Sequence, residues 1–440
     1  MIKKQLYAGA AIIDVTPQKP MFLHGYPHVE RTSVGTHDPL YASAMIIDDG
    51  KNQIGFCAVD VIFITREITA RIREKVQKET GIKGENLMIS ASHTHSGPVI
   101  FSDIFYDPVV PKADPEYITY LVNKIVQVYI EAFQNKRESK IAITTADGTG
   151  IGGNRRSIRD AIDPEVSVLV LKDIVTDKIF ALSTIYCMHP TILHEDSKMY
   201  SADFPGYARA YINDVLGDDV ILLYHTGPSG NQSPRHFINS NTFEEAERLG
   251  LKLGKQITDS VLQLNELDYQ DWLTLSNQQS QLNLPQREFI TEEAAAEKVV
   301  FVKNKLDKMR LEKAAAKEIR TVECDWFGAL ENNQLAKMSV NGELKIIYKS
   351  VLPAEVNLIG LGDILFVFLP GELFVEYSMW IKELSSEKIF ISTMSNGVLA
   401  GYIVTEEAER EGGYEASNSI FPAKAGQLLL NIINNLIKIN

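Results

Sequence analysis

Repeatedly along this chain, a strand-length apolar run empties into a polar loop that carries His, Arg, Ser or Glu. The loops fall at 93–98, 154–157, 189–194, 225–236 and 370–372. Between them run stretches with the 3.6-residue period of a buried helix face, such as 65–80, where Ile68, Ile72 and Val76 recur. Strands are predicted at 5–15, 40–48, 53–64, 141–146, 166–171, 179–186, 220–224, 345–350, 363–369 and 389–393. Helices are predicted at 65–80, 115–135, 203–216, 243–265, 373–385 and the C-terminus. Such alternation confines the chain to the α/β class, with mixed β-sheets flanked by helices. No repeat, linker or composition break divides residues 1–440, so one large domain is expected. Residues 285–325, rich in Ala, Lys and Glu, are expected as a peripheral, mainly helical segment with a solvated charged face.

Strand ends in α/β folds face a crevice, which is where sites collect. The formal charge of −13, with no basic stripe, excludes nucleic acid as a partner and opposes anionic membranes. No apolar run reaches the roughly 18 residues of a transmembrane helix. The N-terminal residues lead into Asp14-Val-Thr-Pro17 without a sustained apolar core, so no signal peptide is expected. Cys57, Cys187 and Cys324 are scattered and form no CxxC pair. Together these point to a cytoplasmic location.

The most informative loop opens from Asn86-Leu-Met-Ile-Ser-Ala-Ser-His93-Thr-His95-Ser-Gly-Pro98. If the strand continues to its end, His93 and His95 share one face of it. Neutral imidazoles with a carboxylate suit a catalytic zinc that keeps one position for water, and His93, His189 and Glu372 supply such a set. Each has an ordinary alternative. Glu372 follows Pro-Gly, where a first-turn acid is favoured by the helix dipole; His189 precedes Pro190, where a buried turn histidine is as reasonable. Ser233 sits in a Gly/Pro loop as a nucleophile or hydrogen-bond donor, although GxSxG is absent. Arg155 and Arg156 can clamp an anion or simply lie on the surface. A second polar loop, His24 to Pro39, is active-site wall or plain surface.

Several short motifs occur in a fixed order: ASHTHSGP, the Asn154-Arg155 loop before Ile162-Asp-Pro-Glu165, MHPT, GNQSP, LPGE and GYIVT. In that order they resemble the neutral/alkaline non-lysosomal ceramidases over about residues 7–435, the family's catalytic domain. The resemblance implies a zinc-dependent amidase that hydrolyses an N-acyl bond of a small-molecule or lipid substrate. Matched by motif, His93, His189, Glu372 and Tyr402 are the implied zinc ligands, with Tyr414 as the alternative tyrosine. His95 and Arg155 match residues that meet the substrate's polar head and the reacting carbonyl. Ser233 matches the family's serine in an Asp-x-Ser-Pro motif, where Asn231 here replaces the acid and is a substrate-binding candidate. The family's C-terminal immunoglobulin-like domain has no counterpart in this sequence. A ligand-binding relative without turnover and a metal-free esterase using Ser233 are the competing readings.

Overall fold

The structure, a computed structural model, describes residues 4–26, 29–101 and 109–439. Pro27 and His28 of the His24–Pro39 loop lie outside the described residues, as does 102–108 of the Asp- and Pro-rich loop after Pro98. Eight strands form the larger sheet: β1 (Tyr7–Asp14), β2 (Tyr41–Asp48), β3 (Gln53–Val59), β4 (Leu87–Ala91), β5 (Arg137–Asp147), β6 (Glu165–Asp173), β7 (Ile179–Tyr186) and β8 (Ile221–Thr226). Their order is β8-β7-β6-β5-β1-β2-β3-β4. The pairs β3/β4 and β7/β8 at the two edges are parallel, and the interior pairs are antiparallel. The smaller sheet is β9 (Leu275–Leu282), β10 (Ala354–Leu361), β11 (Ile364–Phe368) and β12 (Lys388–Ser392), with β11/β12 parallel.

The two sheets meet face to face. In β11, Phe366 and Phe368 point into a core shared with Met45 and Phe56 of the larger sheet, while Leu365 and Val367 point the other way. The Phe56 and Phe368 rings stack with centroids 5.1 Å apart. This period-two division is what a strand buried on both faces requires, and each aromatic so buried contributes roughly 1.5–3 kcal/mol.

Helices cover the outer faces. Helix α1 (Arg66–Thr80) is capped by Thr65, whose side chain accepts from the Ile68 N–H, and ends at Gly81 in the left-handed region. With α2 (Pro115–Gln134) it covers the β1–β4 half. Helices α3 (Phe204–Leu216) and α4 (Phe243–Leu262) pack on each other and on the β5–β8 half, through Phe204, Leu249 and Leu253 against Val168, Val170 and Leu182. Two long helices follow, α5 (Glu292–Leu311) and α6 (Ala316–Asn341), packed on one another. Then come α7 (Leu344–Val351), α8 (Val375–Lys382), α9 (Glu406–Glu411), α10 (Tyr414–Ser417) and α11 (Lys424–Ile439).

The strand predicted at 345–350 is corrected to helix α7. Leu344, Ile347, Tyr348 and Val351 are buried at i, i+3, i+4 and i+7, so the apolar residues there follow a helix face. Strands β9 and β10 were not predicted. The middle of β9, Ser276 to Gln281, is polar on both faces, which hides its strand pattern. The strand expected to carry His93 and His95 is also corrected: β4 stops at Ala91, and His93 turns into the left-handed region at φ 67°.

Candidate metal centre and its pocket

The site forms where the two edges of the larger sheet come together. The sheet curls until β8 lies beside β4. Across this seam the Thr226 hydroxyl donates to Ser92 O at 2.6 Å, and Ser90 Oγ bonds His225 Nδ1. The loops after β4 and β7 are thereby brought over one another. Beyond β4, Ser92 N and His93 N donate to Val59 O and Val61 O of the loop leaving β3, which fixes the backbone that carries His93.

Both buried histidines are held from behind. His93 Nδ1 donates to Ile62 O at 2.8 Å; His189 Nδ1 faces Ser229 O at 2.6 Å and Gln232 O at 3.0 Å. A carbonyl only accepts, so in the neutral rings the proton sits on Nδ1 and the Nε2 lone pair points inward. Those lone pairs meet Glu372 Oε2, 3.5 Å from His93 Nε2 and 3.1 Å from His189 Nε2. Burial drives His189 down to about 4, so it is neutral near pH 7. Electron pairs thus face an anion in a buried space, an arrangement that a cation resolves.

His95 approaches from the open side, with Nε2 at 3.4 Å from His93 Nε2. One nitrogen each from His93, His95 and His189 lie within 4.8 Å of one another, a grouping that can bind a metal. Desolvation, then His93 and His189, hold His95 well below the ordinary imidazole value.

Glu372 and Tyr402 are neighbours by backbone pairing, because the short parallel bridge 372–373 with 402–403 sets Glu372 opposite Tyr402. Gly401 makes the turn into that bridge at φ 72°, where a Cβ would lie 1.8 Å from Asn418 O. Tyr402 and Tyr414 have ring centroids 5.8 Å apart, and the Arg155 guanidinium lies 5.4 Å from the first and 5.9 Å from the second. Arg155 is buried, with Nε donating to Glu415 Oε1 at 2.8 Å and Nη2 without a hydrogen-bond partner among the described residues.

In front of the cluster is a pocket of about 70 Å³. At ~10–15 Å³ per water that is space for about five waters. Its lining includes His95, Arg155, Ser233, Tyr402 and Tyr414, so the structure brings these predicted residues to one wall. His93, His189 and Glu372 lie behind them. Asn231 is not brought to this pocket: its Nδ2 donates to Glu376 Oε2 at 2.9 Å and its Oδ1 accepts from Val375 N. Ser233 Oγ accepts from the Arg235 N–H at 3.2 Å, capping a short turn. Arg156 is tied to Glu415 at 3.2 Å and Glu411 at 3.0 Å.

Sequence reasoning missed Arg235, Glu415 and the α6 residues Arg320, Cys324 and Phe327, which line or support the pocket. Arg320, Cys324 and Phe327 stand at i, i+4 and i+7, so their common helix face was legible. What that face meets was not.

Fold and site define a mixed α/β protein with a buried histidine–carboxylate centre, reached through a pocket built by strand-end loops. Residues 6–220 match the family described as neutral/alkaline non-lysosomal ceramidase, N-terminal. Neutral ceramidase from Pseudomonas aeruginosa is 23% identical over 269 residues, 56% of this chain and 40% of that protein. Neutral ceramidase B from Dictyostelium discoideum is 24% identical over 219 residues, 46% and 30% respectively. Neutral ceramidase 3 from Arabidopsis thaliana is 29% identical over 152 residues, 33% and 21%. The matched stretch therefore spans between a fifth and two-fifths of these relatives' lengths. The crystal structure of the Pseudomonas aeruginosa neutral ceramidase superposes with TM-score 0.75 at 17% identity, covering 99% of this chain and 75% of that one. A ceramidase complexed with C2 gives TM-score 0.75 at 16% identity, covering 99% and 76%. The expected α/β fold is thus shared with solved ceramidases.

Proposed function

We propose that this protein is a zinc-dependent hydrolase of N-acyl amide bonds. The observation that carries the proposal is the inward-facing pair His93 and His189 with Glu372 between them, opening through His95 onto a small pocket. His93, His189 and Glu372 would hold the ion, with Tyr402 or Tyr414 completing the set from the pocket side. When bound, zinc supplies Lewis acidity toward water and toward an acyl carbonyl.

The remaining steps belong to the chain. His95, neutral and half-buried at the pocket floor, takes the proton from the attacking water and returns it to the leaving nitrogen. Arg155, held by Glu415, directs its free Nη2 at the oxygen that gains charge during attack. The pocket admits few waters, which strengthens both interactions. Ser233 Oγ accepts from a backbone N–H, which supports a structural role over a nucleophilic one.

Metal analysis of the native protein, combined with a panel of N-acyl amides and esters, tests the proposal. About one zinc per chain is expected, with amide cleavage that chelation removes, zinc restores and His93→Ala abolishes. Absence of zinc together with absence of amide cleavage would overturn it. Cleavage that survives chelation but not Ser233→Ala would favour a serine route.

A further inference from the structure

The pocket wall opposite the histidines is basic. Arg155, Arg235 and Arg320 all line it, with Glu195 the only carboxylate among the described lining residues. Two of the three arginines are already paired. Arg155 meets Glu415, and Arg320 makes a two-pronged contact with Glu195 at 2.9 and 3.1 Å and a further one with Glu323 at 2.7 Å. Arg235 has no carboxylate partner among the described residues. Its Nη2 instead donates to the thiol of Cys324 at 3.5 Å. His194, beside it, is held down to about 4 by burial and by Arg320, so near pH 7 it adds no further positive charge. The half-buried guanidinium of Arg235 therefore faces a confined space with no carboxylate against it among the described residues, and Arg155, whose Nη2 has no hydrogen-bond partner among them, lines the same pocket.

We propose that Arg235 is the anchor for a carboxylate on the molecule that occupies this pocket. A guanidinium presents two parallel N–H donors matched to the two oxygens of a carboxylate, and partial desolvation strengthens that contact. Combined with the hydrolase reading, on which the word substrate rests, the substrate class is a compact N-acyl amino acid. Its acyl carbonyl lies toward His95 and its carboxylate lies against Arg235. The volume of about 70 Å³ fits such a head group and falls well below the ~300 Å³ at which pockets enclose larger ligands. Helix α6 shapes this preference, because Arg320, Cys324 and Phe327 make the wall that holds Arg235 in place.

The thiol next to Arg235 offers a readout that does not depend on turnover. Cys57 and Cys187 are buried, whereas Cys324 is partly exposed, so iodoacetamide labelling of the zinc-loaded protein reports on Cys324. N-acetylglycine is expected to slow this labelling at a concentration about tenfold or more below that of the neutral N-acetylglycinamide. Arg235→Gln should erase the difference and Arg235→Lys should restore part of it. In turnover assays, the ratio of kcat/KM for the acid over the amide should fall about tenfold in Arg235→Gln. The thermal unfolding midpoint with each compound provides a second binding readout in the wild-type protein, should the variants misfold. Equal protection by the two compounds, protection by neither, or tighter binding of a short-chain ceramide would overturn the proposal. Protection by the acid without cleavage of any amide would leave the anchor standing and remove the hydrolase reading. Amide cleavage with no preference for the acid would do the reverse.

Discussion

Glu372 shows how one buried carboxylate can organise several loops. It sits between two imidazoles whose tautomers are set by backbone carbonyls, so its charge cannot be replaced by a neutral group of the same shape. Glu372→Gln should weaken zinc binding by more than about 100-fold, beyond the ~10–100-fold typical of losing an outer hydrogen-bond partner. Competition against a chromophoric chelator measures this, and an unchanged affinity would remove Glu372 from the ligand set. The buried histidines also set a pH dependence. Burial lowers His189 to about 4 and His225 to about 3, from 6.5 in the unfolded chain. Each then takes up a proton only on unfolding as pH falls below 6.5, so stability is full above that pH and declines toward the folded values. For the metal-free protein the slope between pH 6 and 4.5 should be roughly 1 kcal/mol per pH unit per histidine, roughly 2 for the pair. Urea unfolding at stepped pH checks this, and a flat profile would contradict it.

At the scale of elements, the site depends on turns that only glycine can make. At Gly401 a side chain meets a backbone carbonyl at 1.8 Å, in the segment that sets Tyr402 beside Glu372. Gly81, at the end of α1, has a similar φ of 76° but open space around it. Gly81→Ala should therefore cost only the left-handed strain, about 1–2 kcal/mol, whereas Gly401→Ala should cost several kcal/mol. Denaturant midpoints of the two variants test the contrast, and equal losses would contradict it. Helix α6 teaches a related lesson. Its start belongs to a charge-rich stretch that reads as a solvated face, and residues 316–318 are indeed exposed. Yet a single turn-to-turn stripe of Arg320, Cys324 and Phe327 forms pocket wall. Composition averages over a helix, while function here uses one side of it.

For the whole molecule, the decisive feature is the seam between β4 and β8. His93 leaves one edge of an eight-stranded sheet and His189 leaves the strand next to the other edge, yet their rings lie 4.7 Å apart. The Thr226 hydroxyl bridges the seam to Ser92 O, one residue before His93. Thr226→Val should lower both stability, by about 1–3 kcal/mol, and zinc affinity, because the unpaired carbonyl loosens the loop that carries His93. Thr258→Val removes a buried hydroxyl that bonds within α4, to Lys255 O, and should leave zinc affinity unchanged. Equal zinc affinity in the two variants would show that the seam does not govern the site.

The sequence by itself determined the α/β class, most elements, and the candidates His93, His95, His189, Arg155 and Glu372. These follow from short-range patterns: strand-length apolar runs, helical periods such as Ile68–Ile72–Val76, and motifs at strand ends. Tertiary structure decided what short-range patterns cannot carry. It turned 344–351 into a helix by burying one face, and it ended β4 before His93, so His93 and His95 converge through a left-handed loop residue rather than the pleat. It also committed Asn231 to Glu376 and Val375, and it set Arg235 at the pocket wall with no carboxylate paired to it among the described residues. The reason is physical. A residue's local conformation is set by its near neighbours, whereas a centre assembled from residues 93, 189 and 372 exists only once distant strands close a shared core and fix where their ends meet.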